Sequence, residues 1–158
     1  MKEDRSERAV AELDPLKQKS AELLLRLYEL RREPAMRAAR DWFVTRFHPA
    51  TADEVVAAWM APDSERYRMT TTYWDMAAGL VLHGAIDPAM FHATNTEYVA
   101  VYAKLAPFLA EVREKTGVPA YLGNLEALVR QLPDYDAQLA SYRRYMALKK
   151  KQLAAAAG

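Results

Sequence analysis

Three histidines are the side chains of this sequence best suited to proton transfer or metal ligation near neutral pH. His48 precedes Pro49, His83 stands just before Gly84, and His92 follows the pair Asp87-Pro88 by one turn. None of them takes part in an H-x-x-x-H or E-x-x-H spacing, so a metal site is not expected. Their expected work is structural, since a cation near a helix C-terminus meets the helix dipole favourably by about 0.3–1 kcal/mol. Asp41, Glu97, Glu111 and Glu126 are spread over the helical segments, without the Glu-x-x-His pairs of a di-iron bundle. There is no cysteine, which excludes disulfides, thiolate ligands and a thiol nucleophile together. Glycine phosphate cradles and the G-x-S-x-G nucleophile elbow are absent as well. No catalytic residue, cofactor or metal is therefore expected.

Asp75 is the most informative carboxylate. Helical spacing sets it beside Thr71, Thr72, Ala78 and Gly79, a face small enough for another helix to approach closely. A carboxylate buried there needs a partner, and Arg113, one residue past an apolar stripe, is the expected one. Such a pair fixes helix register, and its loss costs about 3 kcal/mol or more. The functional alternative is a ligand pocket formed by Trp74, Asp75, His83 and His92.

The elements that position these residues are marked by proline and by capping residues. Asp14-Pro15 opens a helix running to about Arg32, in which Leu13, Leu16, Leu23, Leu27 and Leu30 follow spacings of 3, 4 and 7, with Ser20 interrupting the seam. Glu33-Pro34 begins a second helix with Met36, Ala39, Phe43 and Phe47 on one face, stopping at His48-Pro49. Thr51 with Glu54, and Thr94 with Glu97, have capping-box spacing. A fourth helix spans about 64–83, and Gly84 ends it. A long helix from Glu97 to Gly117 is expected to kink at Pro107, and shorter segments follow Pro119 and Pro133. No stretch alternates in the manner of a strand. The expectation is an all-α, single irregular helical bundle of about seven helices over 14–148, flanked by a charged segment at 1–13 and a frayed basic and alanine-rich tail at 149–158.

With 158 residues, 51% of them hydrophobic, the chain suits one domain with a sizeable core. Its 22 basic and 21 acidic residues give a formal charge of +1, so no global field favours nucleic acid or an anionic membrane. Charge is uneven locally: from Asp134 to Lys151 five basic residues face two acidic ones, among Tyr135, Tyr142 and Tyr145. That helix is either a solvated terminal helix or a weak nucleic-acid or anionic-surface binder. No apolar run approaches a bilayer span, and the N-terminus alternates charges where a signal peptide needs apolar residues, so the expected setting is cytoplasmic.

The run Tyr73-Trp74-Asp75-Met76-Ala77-Ala78-Gly79-Leu80, followed by His83-Gly84-Ala85-Ile86-Asp87 and Phe91, resembles an uncharacterised bacterial family of short all-helical proteins. Leu105-Ala106-Pro107-Phe108, Arg113, Gly117-Val118-Pro119 and Asn124–Leu128 follow in the order of that family, over about Arg32 to Leu132. The resemblance implies an all-helical fold and, for some relatives, an N-terminal membrane helix; it implies no catalytic residue. The function expected from the residues themselves is a non-enzymatic interaction or self-association module, giving a homo-oligomer or a protein complex through the leucine seam. A small-molecule binder or enzyme with a pocket near Trp74 is the alternative.

Overall fold

Proline and capping residues set most of the helix boundaries in the computed structural model, which describes residues 13–158. The charged segment 1–13, apart from Leu13, lies outside the described residues. Nine helices follow among those residues: α1 (Pro15–Arg32), α2 (Pro34–Thr45), α3 (Ala52–Met60), α4 (Glu65–Leu82), α5 (Pro88–Thr94), α6 (Glu97–Leu105), α7 (Leu109–Thr116), α8 (Gly123–Val129) and α9 (Tyr135–Ala156). No strand occurs among them.

The caps account for several starts and stops. Asp14 accepts the Leu16 N–H at 2.9 Å, and Asp87 accepts the Met90 N–H at 2.8 Å, each just ahead of a proline. Thr51 accepts the Glu54 N–H at 3.2 Å, while the Glu54 carboxylate reaches back to the Ala50 N–H at 2.8 Å. Gly84 and Gly117 take left-handed backbone, with φ of 77° and 68°, directly after α4 and α7.

The expected count of about seven is corrected to nine at two places. The short turn of helix expected after Asp87-Pro88 is a full helix, α5, and the single kinked helix expected from Glu97 to Gly117 is two helices. Pro107 has no N–H to offer the Ala103 carbonyl four residues back, so the ladder stops at Leu105. Arg143 of α9 donates from Nε to that carbonyl at 3.1 Å, so the broken ladder becomes a joint between α6 and α9. At the other end, α9 continues to Ala156, so most of the tail expected to fray from 149 onward is helical.

α4 lies at the centre of the packing, against both α2 and α8, while α6 packs on α9 and α8 and α3 packs on α7. Tyr67, Trp74, Ala77, Ala78 and Val81 of α4 join Phe43, Phe91, Tyr98, Val101, Tyr102, Leu125 and Leu128 in one core. Burying each large side chain there contributes about 1.5–3 kcal/mol.

Candidate functional site

The four residues of the expected pocket face different neighbours. Trp74 is fully buried, and its Nε1–H donates to Glu97 Oε1 at 3.1 Å. Asp75, the next residue, faces α8 instead: Oδ1 accepts the Leu125 N–H at 2.9 Å and Oδ2 accepts from Asn124 Nδ2 at 3.2 Å. His92 Nδ1 shares a hydrogen bond with the Tyr98 hydroxyl. Burial pushes the imidazole below its usual value and the phenol above its own. His83 is the C-cap of α4. Among the described residues no three His, Asp or Glu side chains gather in a way that holds a metal ion.

The expected Asp75–Arg113 pair is not made. Arg113 forms an ion pair with Glu126 at 2.7 Å and donates from Nε and Nη2 to the Tyr121 carbonyl at 3.0 and 2.8 Å. The reason lies at the start of α8. Its N-cap position is Leu122, held in left-handed backbone at φ 53°, with no side-chain oxygen to cover the first-turn N–H groups. Asp75 supplies that oxygen from α4. The close approach rests on Gly79, where an added Cβ would come within 3.3 Å of Asn124 Nδ2. Glu126 in turn takes both Arg113 and, at 2.9 Å, Arg130. Burial pushes its carboxyl up, but the two guanidiniums outweigh it and hold the group below the usual carboxylate range.

Two cations that the sequence analysis did not single out organise the interior. Arg40 of α2 grips Glu97 through Nε and Nη2 at 2.7 and 2.6 Å, and its Nη1 donates to the Arg31 carbonyl at 3.1 Å. With Trp74 on the same carboxylate, α1, α2, α4 and α6 meet at one ion pair. The Thr94–Glu97 capping box is correspondingly not formed: Thr94 lies inside α5 and donates to the Met90 carbonyl at 2.8 Å. Lys104 of α6 is 8% exposed and donates from Nζ to the carbonyls of Phe43, Val44 and Phe47 at the end of α2, the last at 2.6 Å. The sequence signal for both was a cation inside an apolar stripe: Arg40 beside Met36, Ala39 and Phe43, and Lys104 between Val101 and Leu105.

The leucine seam divides. Leu27 is 6% exposed and belongs to the core, with its carbonyl accepting the Tyr73 O–H at 2.6 Å; Ser20 is buried and accepts the Asp87 N–H at 3.0 Å. That corrects its placement at an interface. Leu13, Leu16, Leu23 and Leu30 remain exposed, joined by Leu25 and Tyr28. These are six of the twelve exposed large apolar residues in the described chain, all within 13–30. Beside Leu30 a groove of 510 Å³ opens, lined by Ala35, Met36, Met69, Tyr73 and Met76.

A family model for a domain of unknown function, DUF4760, matches residues 18–132. The chain belongs to that family. It is a family without assigned activity, as the Trp74-Asp75 and Gly117–Leu128 motifs suggested. No curated protein and no solved structure matches the chain. The DUF4760 match takes in most of α1 and all of α2 to α8, and it ends before α9.

Where α9 lies along α2, the DUF4760 chain has two further concavities that share Thr45. One, of 340 Å³, is lined by Arg37, Arg40, Asp41, Tyr145 and Lys149; the other, of 530 Å³, by Arg46, His48, Lys150 and Leu153. His48 Nε2 donates to the Thr45 carbonyl at 3.0 Å, and burial lowers the ring's pKa, so it is neutral near pH 7. No helix of the described residues is long and apolar enough to cross a membrane.

Proposed function

We propose that this domain is a non-enzymatic self-association module in which α1 of one copy pairs with α1 of a second copy. The observation that carries this reading is the repeat of Leu16, Leu23 and Leu30 at intervals of 7 residues on a helix face that stays exposed after the core has taken Leu27. Seven-residue spacing is the period at which two helices keep one seam in contact, and exposed leucines concentrated on one element signal an interface. Lys19 with Glu22 and Arg26 with Glu29, at 3.1 and 3.3 Å, form a polar border along one side of the seam. The chain contains no cysteine, so its fold needs no oxidising compartment.

A two-fold pair brings Leu23, the middle residue of the repeat, against its own copy in either helix orientation. The cysteine-free chain gives a clean background for Leu23→Cys under mild oxidation, and a disulfide-linked dimer is expected at micromolar concentration. Met60→Cys on α3, 59% exposed and remote in sequence from the seam, is the control. Equal crosslinking of the two variants contradicts the proposal.

A further inference from the structure

The α2/α9 groove gathers cations that the fold does not use. Arg40 is consumed by Glu97, but Arg37, Arg46, Lys149 and Lys150 have no carboxylate within 4.0 Å among the described residues. They come from two helices and point into two concavities that share a wall at Thr45. Arg37 and Arg46 are nine positions apart, about 14 Å along the α2 axis, so the charge forms a track rather than a point. The end of α2 would ordinarily repel an anion through its free carbonyls. Here those carbonyls are already occupied from the protein side by Lys104 Nζ and His48 Nε2. Within the track stands Tyr145, 47% exposed, with Lys149 Nζ 5.8 Å from its ring centroid. Asp41 is the one lining carboxylate without a cation partner among the described residues.

We propose that this groove binds single-stranded nucleic acid, with phosphates on Arg37, Arg46, Lys149 and Lys150 and an unpaired base stacked on Tyr145. Phosphate charge fits a track of unpaired cations, and an exposed aromatic ring beside them is what distinguishes a strand with free bases from a plain polyanion. A duplex keeps its bases stacked inside and offers Tyr145 nothing. A membrane plane requires apolar side chains beside the cations; Leu148 and Leu153 of α9 are exposed, so vesicle binding is the outcome the test must separate, whereas Tyr145 lines the concavity itself. The site is independent of the α1 seam.

The test is fluorescence anisotropy with a labelled 20-nucleotide oligo-uridine and the full chain. Four phosphate contacts to a single strand give a log–log salt slope near −2.8, so affinity should fall about 50-fold between 50 and 200 mM salt. The double variant Arg37→Gln/Lys149→Gln should reduce the slope by about 1.4. Tyr145→Ala should weaken binding about tenfold at unchanged slope, with Tyr145→Phe restoring it. Asp41→Asn should tighten binding, and because it adds affinity it keeps the test decisive if a loss variant folds poorly. No binding at 50 mM salt overturns the proposal. So does binding indifferent to the double variant, to Tyr145→Ala and to Asp41→Asn, a duplex of equal length binding as tightly, or preferential binding to phosphatidylserine vesicles.

Discussion

The interior of this bundle and the outer face of α1 invert the usual placement of charged and apolar groups. Inside, Arg40 and Glu97, with side chains only 20% and 19% exposed, meet at 2.6 Å, and Lys104 sits among carbonyls; no buried side-chain nitrogen or oxygen among the described residues lacks a partner. Outside, Leu16 and Leu25 are 78% and 63% exposed. The polar groups are buried because each is fully satisfied, which makes them register devices. The leucines stay exposed and concentrated on one element, the feature on which the proposed self-association rests. The first region holds the fold, and the second is free to do something else.

Breaking the interior side of that contrast should cost most. Glu97→Ala leaves Arg40 partly buried without its carboxylate and Trp74 Nε1 without its acceptor, and a loss of about 3–5 kcal/mol is expected in urea unfolding. Glu97→Gln, which retains an acceptor for Trp74, should lose less. A Glu97→Ala protein as stable as the wild type would remove the ion pair from its central place.

Lys104→Met comes next, with about 1–3 kcal/mol expected from carbonyls deprived of a donor. It also carries a pH signature. Burial pushes Lys104 down to about 7 from its ordinary 10.5. Between those values the unfolded chain binds a proton that the folded chain does not, so wild-type stability should rise with pH from about 7 towards 10. Above 10 the buried tyrosines, whose phenols are raised, reverse the trend. Chemical denaturation across that range should show the rise in the wild type and its absence in Lys104→Met. A flat wild-type profile would mean that the three carbonyls keep the ammonium charged.

Asp75→Ala is the smallest of the three. Asp75 caps α8 rather than pairing with Arg113, so the expected cost is that of a lost N-cap, about 0.5–2 kcal/mol. A double-mutant cycle of Asp75→Ala with Arg113→Ala should show no coupling beyond about 0.5 kcal/mol. Coupling near 3 kcal/mol would restore the direct pair.

What could be read from the sequence was local, and what escaped it was long-range. Asp14-Pro15, Thr51 with Glu54, Asp87-Pro88, Gly84 and Gly117 act through neighbours a few residues away, and each does what its type dictates. Pro107 was recognised as a disruption, but whether a helix kinks or divides depends on a partner for the Ala103 carbonyl, and that partner is 40 residues away. Glu97 has capping spacing from Thr94, yet Arg40, 57 residues away in sequence, claims it. Asp75 stands out in the sequence, but its partner in the fold is α8 and not Arg113, because the uncapped start of α8 is a property of Leu122's backbone. The seam could be read as one stripe; which flank the core would cover, Leu27 or Leu23, follows from where α2 and α5 meet α1.

The most direct test of the outer face is molar mass by light scattering across a hundredfold dilution, for the wild type and for Leu23→Asp/Leu30→Asp. These side chains are 39% and 41% exposed, so the variant should keep its helical signal, and its monomer should change in stability by less than about 1 kcal/mol. A wild-type dimer that dissociates on dilution, paired with a folded, monomeric variant, is the predicted result. A wild type that is monomeric at every concentration would contradict self-association through α1.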